Sequence, residues 1–237
     1  MRPHRNSFYE STVESIYDRR KTSVKPGIYS YFDPGNLFNI QYRERRILKA
    51  LARSGFSNLK DRKILEVGCG WGFWLRTFLS WGALPENVTG IDVLPERVAN
   101  AKRTCPAALD IRCASATALP YSARSFDIVF QATVFSSILD SETRIRAATE
   151  MIRVVKPEGL ILWYDFSVPN PRNLDLRAVP MIEIKALFPK AEITFERITV
   201  APPIARVLAP RLWPLCSLLE TLKFTNVSYL AMISPRD

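Results

Sequence analysis

Ile64-Leu-Glu-Val-Gly-Cys-Gly-Trp-Gly72 runs from a short apolar segment into three alternate glycines and then directly into the helical pattern Phe73–Trp81. A brief apolar run bounded by turn residues suits a buried strand. Glycine lets the chain turn tightly and lets backbone amides approach a ligand with no Cβ between them. A helix that starts there adds a partial positive end, so strand, loop and helix together suit an anionic or polar ligand. The spacing is not that of a dinucleotide loop. In G-x-G-x-x-G the third glycine would fall at position 73, which is Phe73. The bland alternative is a tight βα turn with no ligand.

Outward from this loop the chain alternates short β-rich runs with helical ones, the mark of βα units on a parallel sheet. Strands are expected at Lys63–Val67, Val88–Ile91, Leu109–Cys113, Asp127–Gln131 and Leu160–Tyr164. Helices are expected near Phe73–Trp81, Glu96–Arg103 and Glu142–Val155, with Ser115–Ser125 reading as a loop. A polar loop, Ser167–Arg177, then precedes a helix at Met181–Phe188, a strand at Glu192–Val200, an apolar helical segment at Pro203–Leu222 and a last strand at Val227–Ile233. The two late strands bracket a helical excursion and can pair antiparallel at the sheet edge. The fold class is therefore α/β, a doubly wound, Rossmann-like, mostly parallel seven-stranded sheet with an antiparallel last strand and an N-terminal helical extension.

Asp92 ends the next strand, in Val88-Thr-Gly-Ile-Asp92, about 20 residues past the loop. A carboxylate there can accept both hydroxyls of a ribose; its other reading is a helix N-cap ahead of Pro95. Asp165 sits at the C-terminal end of the fifth strand, where open α/β sheets place ligands, and reads equally as a base or as a loop anchor.

Composition excludes several classes. The 237 residues are 47% hydrophobic, enough for a core, and no run is apolar and long enough to span a bilayer. The basic start lacks an apolar stretch behind it, so the sequence predicts a cytoplasmic chain with no secretory signal. Four cysteines without a C-x-x-C pair, and His4 as the one histidine, offer neither a metal-ligand set nor a disulfide framework. No metal is expected, and a His-based triad is excluded. The net charge is +10, with the excess concentrated in the first quarter of the chain. That excess suits an anionic partner such as nucleic acid, or a solvated helix face; for Arg43-Glu-Arg-Arg46 the apolar stripe Ile40, Ile47, Leu48 and Leu51 favours the solvated face.

Together with Leu119-Pro-Tyr121, Ser125-Phe-Asp-Ile-Val129 and Glu150-Met-Ile-Arg-Val-Val-Lys-Pro-Glu-Gly159, the glycine loop and Gly90-Ile-Asp92 resemble the class I S-adenosylmethionine-dependent methyltransferases of the type 11, UbiE-like group. The resemblance covers roughly residues 62–165. It implies S-adenosylmethionine as cofactor, with Glu66 and the Gly68, Cys69, Gly70 and Gly72 loop at the methionine moiety. Asp92 would then hold the ribose, Val93 and Leu94 would lie beside the adenine, Ser115 and Ala116 would meet its edge, and Gln131 would complete the site. Three positions depart from the pattern: Ser115 stands where relatives carry Asp, Ser137 where many carry His, and Glu158 where a glycine is usual.

The activity implied is methyl transfer to an oxygen or nitrogen of a small molecule, sugar or biosynthetic intermediate, with Asp165 and Tyr164 as catalytic candidates. Substrate contacts are expected from Tyr29, Tyr31, Ser136, Ser137, Asn170 and Asn173. Trp71, Trp74 and Trp81 read as core or as cofactor shielding. Residues 1–60 form an N-terminal lid segment in this reading, and residues 61–237 the methyltransferase domain, with 201–225 as an apolar cover insertion. That insertion suits a substrate cover, a dimer surface or a membrane-surface element, and its prolines favour a bent cover. The alternatives are a nucleic-acid methyltransferase, for which the fourth strand lacks the usual N/D/S-P-P-aromatic motif, and a non-catalytic cofactor-binding subunit. A nicotinamide oxidoreductase is disfavoured by the glycine spacing.

Overall fold

The computed structural model describes Gly27, residues 29–169 and residues 175–236. Within them one seven-stranded sheet is built from β1 (Ile64–Val67), β2 (Val88–Asp92), β3 (Asp110–Cys113), β4 (Phe126–Ala132), β5 (Val155–Phe166), β6 (Glu192–Val200) and β7 (Asn226–Ser234). The helices are α1 (Pro34–Arg53), α2 (Phe73–Ser80), α3 (Pro95–Thr104), α4 (Ser141–Val154), α5 (Met181–Leu187), α6 (Pro202–Leu208) and α7 (Trp213–Thr221). Strand order is β3-β2-β1-β4-β5-β7-β6. The first five pair in parallel, whereas β7 runs antiparallel between β5 and β6. The order reverses between β1 and β4, and an open α/β sheet has its ligand crevice at the carboxyl ends of the strands flanking such a point.

The central strands are buried along almost their whole length because both faces are covered. One face packs against α1, α2 and α3 through Ile47, Leu51, Trp74, Leu75, Phe78 and Val98. The other packs against α4 and α5 through Ala147, Met151, Val154, Ile184 and Phe188. Arg144 of α4 is wholly buried, yet its donors are used: Nε to the Ile138 carbonyl, Nη2 to the Arg177 carbonyl, and Nη1 to Glu183 at 2.6 Å. A buried cation is tolerated when paired and hydrogen-bonded in this way.

Several boundaries differ from the sequence reading. β5 starts at Val155, pairs once with Phe126, then shifts register so that Leu160 faces Ile128. Lys156 to Gly159 thus form an irregularity inside an extended strand, and Glu158 lies in it. The segment expected as Pro203–Leu222 is two helices, because Pro210 and Pro214 interrupt the backbone donor ladder. Leu48, placed in the apolar stripe of α1, faces outward at 41% exposure, while Ile40, Ile47 and Leu51 are buried.

The N-terminal helix is integral to the packing. Asp33 caps it, its Oδ1 accepting from the Asn36 N–H at 2.6 Å, and Pro34 occupies the first turn. Phe38 meets Trp213 of α7 edge to face at 4.9 Å within a third cluster that also holds Val200, Ala205 and Cys216. Gly35 is what lets α1 reach α6: a Cβ there would lie 2.6 Å from the backbone N and Cα of Arg206. Gly35→Ala is expected to lower stability by about 1–3 kcal/mol, the range for overpacking against a backbone that must shift. Urea denaturation reads this out, and a midpoint equal to wild type would show that the α1–α6 contact is loose.

Candidate active site

At the reversal of strand order lies a cleft of about 250 Å³. Its floor is the β1–α2 loop. Gly68, Gly70 and Gly72 all have positive φ, which explains why glycine stands at each of these alternate positions. The Cys69 N–H donates to the Ile91 carbonyl at 2.8 Å, tying the loop to β2.

Two carboxyl groups face the cleft from adjacent strand ends. Glu66 of β1 is buried, and its Oε2 has no hydrogen-bond partner among the described residues. Burial, and behind it the charge of Asp92, hold the Glu66 carboxyl well above the usual range. Asp92 at the end of β2 is buried as well; its Oδ2 accepts from the Gly70 N–H at 2.9 Å and its Oδ1 from the Leu94 N–H at 3.0 Å. Burial raises its pKa, opposed by those backbone donors and by Arg97. A carboxylate has about four acceptor positions, so two backbone donors leave Asp92 able to accept further hydrogen bonds.

The remaining wall comes from distant parts of the chain. Arg43 of α1 reaches the cleft with its guanidinium 5.3 Å from the Tyr164 ring and 5.9 Å from the Trp74 ring. It is thus not on a solvated face, because this part of α1 comes up against Trp74 and Tyr164. Its Nε donates to the Asn39 carbonyl, and no ion pair to it is formed within the described residues. Trp71 and Arg97 stack at 5.7 Å on another side. Val93, Ala116, Thr133, Val134 and Ser137 also line the cleft.

Thr133 and Thr199 have φ of 59° and 72°, an outlying conformation for a β-branched residue. Both hold Tyr164. The Thr133 N–H donates to its carbonyl at 2.8 Å, and the Thr199 hydroxyl lies 3.0 Å from its phenol, which also accepts from Ser228 at 3.3 Å. The Tyr164 hydroxyl is therefore engaged on the β6–β7 side while its ring lines the cleft.

Asp165 and Tyr164 are neighbours on one strand and point to opposite faces. Asp165 lies outside the cleft lining, its Oδ2 accepting from the Ser136 N–H at 3.1 Å and its Oδ1 from the Phe166 N–H at 2.8 Å. It anchors the turn after β4. Ser136 is wholly buried in that turn. Gln131 is also wholly buried; its Nε2 donates to the Tyr164 carbonyl and its Oε1 accepts from the Val134 N–H, so it holds the loop from behind. Leu94 is buried behind the Asp92 turn, and the Ser115 hydroxyl bonds to that of Thr117 at 2.9 Å. Tyr29 and Tyr31 are exposed beside the entrance, where Tyr31 comes within 6.4 Å of the Phe73 ring. Asn170 and Asn173 lie outside the described residues. No cluster of metal-ligating side chains occurs among the described residues.

Burial pushes the Asp165 pKa up to about 6 from 3.8. The native state therefore binds this proton more tightly than the unfolded chain. The resulting stabilisation is complete below pH 3.8 and is lost as pH rises towards 6, by about 3 kcal/mol in all. Asp165→Asn is expected to lack this part of the acid-to-neutral decline. The readout is the difference in slope of urea midpoints across that window, since an altered hydrogen bond offsets the variant equally at every pH. Parallel slopes would place the titration elsewhere.

Comparison with known proteins agrees with this fold. Residues 64–159 match a methyltransferase domain family. That segment belongs to the family. A 2-methyl-6-phytyl-1,4-hydroquinone methyltransferase of Synechocystis sp. is 31% identical over 115 residues, covering 48% of this chain and 35% of that protein. An uncharacterized protein of Haemophilus influenzae is 31% identical over 121 residues, 48% of this chain and 46% of its own length. The chain thus spans less than half the length of these curated relatives. Among solved structures, an S-adenosylmethionine-dependent methyltransferase of Methanosarcina mazei aligns at TM-score 0.55 and 18% identity, covering 75% of this chain and 94% of its own. The [4+2]-cyclase SpnF aligns at TM-score 0.59 and 20% identity, covering 82% and 81%. At these identities the structural likeness concerns the methyltransferase fold alone, and one such fold hosts different chemistries.

The cleft of the methyltransferase domain suits S-adenosylmethionine. The unpartnered buried Oε2 of Glu66 meets the need of an ammonium group, the loop at Gly68 and Gly70 lets a ligand approach the backbone with no Cβ between them, and Asp92 retains acceptor capacity for a ribose. Arg43, Thr133 and Trp74 complete the wall. The sequence reading gave Trp74 as core or as cofactor shielding, and it both packs in the core and lines the cleft; the reading missed the other two.

Proposed function

We propose that this chain transfers a methyl group from S-adenosylmethionine to a nitrogen or to an acidic oxygen of a small molecule. The observation that carries the reading is the convergence of Glu66, the loop residues Gly68, Cys69 and Gly70, and Asp92 on one cleft at the point where strand order reverses. The cofactor, when bound, supplies a methyl group on a sulfonium, already activated toward an aligned lone pair. The chain's own task is to hold both partners and exclude water, and such positioning contributes about 7–11 kcal/mol in well-oriented systems. Glu66 and the glycine loop would hold the amino-acid end and Asp92 the ribose. Trp74 and the Tyr164 ring, with Arg43 over both, would form the wall facing the acceptor.

The cleft's own chemistry narrows the acceptor. Its carboxyl groups are Glu66 and Asp92, both assigned to the cofactor; the Tyr164 phenol is engaged by Thr199 and Ser228, and Asp165 lies behind the wall. No described residue there is free to deprotonate an alcohol. An amine, presented as its free base, or an acidic hydroxyl such as a phenol or enol needs no such help. Methyl-labelled cofactor incubated with amines, phenols, plain sugars and RNA tests this. Label is expected in amines or acidic hydroxyls. Label in RNA alone would favour the nucleic-acid reading, and cofactor binding with no transfer to any acceptor would favour an accessory or non-methylating role.

A further inference from the structure

The helical pair α6–α7 and the turn after it carry an outward apolar face. Leu215, Leu218 and Leu222 recur at helical spacing on the outside of α7, while Cys216 and Glu220 point inward. Leu212 before the helix, Val207 on α6 and Phe224 after α7 are also exposed, Phe224 at 80%. Exposed apolar groups in such number on a small protein mark an interaction surface. In the last turn of α6 the Arg206 backbone packs against Gly35 at the start of α1. Tyr31 approaches Phe73 in the cleft lining.

Within the α6–α7 segment and the turn after it, the exposed charges all have one sign. Between residues 201 and 225 the cations are Arg206, Arg211 and Lys223, and the one acid, Glu220, is buried. Arg45 of α1, exposed and 3.8 Å from Glu220, adds a cation along the flank of α7. A protein partner would be expected to answer hydrogen-bonding groups as well as leucines. A surface of leucines and a phenylalanine edged only by Arg and Lys fits a lipid surface with anionic headgroups, where each nearby cation contributes and insertion of short apolar side chains supplies the rest. No helix among the described residues is long and apolar enough to cross a membrane. We infer that α7 and the Leu222–Phe224 turn seat this protein peripherally on anionic membranes, by shallow insertion of Leu215, Leu218, Leu222 and Phe224 between headgroups, with Arg45, Arg211 and Lys223 at the phosphates.

Flotation of the full chain with vesicles of phosphatidylglycerol and phosphatidylcholine tests this without reference to any activity. Binding is expected to the mixed vesicles, to fall steeply as salt is raised, and to be weak on phosphatidylcholine alone. The double substitution Leu218→Gln and Phe224→Gln alters only exposed side chains, so its Tm should match wild type while vesicle binding falls about tenfold or more. Three results would overturn the inference. One is no binding to anionic vesicles. Another is binding that the double variant retains in full, which would assign it to another basic region. The third is a concentration-dependent dimer in light scattering that the double variant abolishes, which would make a second copy the occupant.

Discussion

Asp92→Ala is expected to bind S-adenosylmethionine about a hundredfold more weakly than wild type. A hydrogen bond to a charged acceptor contributes about 1.5–3 kcal/mol, two ribose hydroxyls can use this carboxylate, and each ~1.4 kcal/mol is a factor of ten. The loss goes beyond those two bonds. Asp92 also accepts from the Gly70 and Leu94 N–H groups, so its removal frees both the glycine loop and the turn leading into α3. Asp92→Asn keeps the shape and one acceptor, and should fall between the two. Calorimetric titration measures all three, with thermal melting as the check on folding. A folded Asp92→Ala protein with wild-type affinity would leave this carboxylate as a loop cap alone.

Gly68→Ala should be the most damaging small substitution in the loop. Its φ is +74°, and a Cβ would stand 2.3 Å from Cγ2 of Val134. A left-handed alanine costs about 1–2 kcal/mol and overpacking about 1–3 kcal/mol. For a chain of this size the two together lower Tm by roughly 5–15 °C. Cofactor binding should be lost beyond measurement, because Val134 itself lines the cleft and must move. The two costs can be separated. Adding Val134→Ala removes Cγ2 and should recover the packing part of the stability, leaving the backbone part in place. Full recovery in the double variant would show that the left-handed conformation costs nothing, and no recovery would show that the contact with Val134 is not the source.

How much of this was legible in the sequence depends on the range of the interactions. The glycine loop, Glu66 and Asp92 were legible because strand, loop and helix are consecutive and their chemistry is local. The antiparallel β7 was legible from two late strands bracketing a helical excursion. Arg43 was not. Its neighbours Arg46 and Arg53 on α1 both meet Glu196 of β6, and only the tertiary packing of α1 beside Trp74 and Tyr164 turns Arg43 into the cleft. Nor could the sequence show that Thr133 and Thr199 adopt positive φ, since a β-branched residue resists it and the surrounding structure imposes it. Tyr164 and Asp165 carry a lesson that needed no structure. Consecutive strand residues face opposite sides, so the two could not both line one cleft.

The central claim is that the Gly68–Gly72 loop and Asp92 hold S-adenosylmethionine. Titrating the wild-type chain with S-adenosylmethionine and S-adenosylhomocysteine, with NADH as the control ligand, tests it most directly. The account predicts micromolar binding of both, at about 8 kcal/mol, and none of NADH. A well-folded wild-type protein that binds neither adenosyl compound would contradict it.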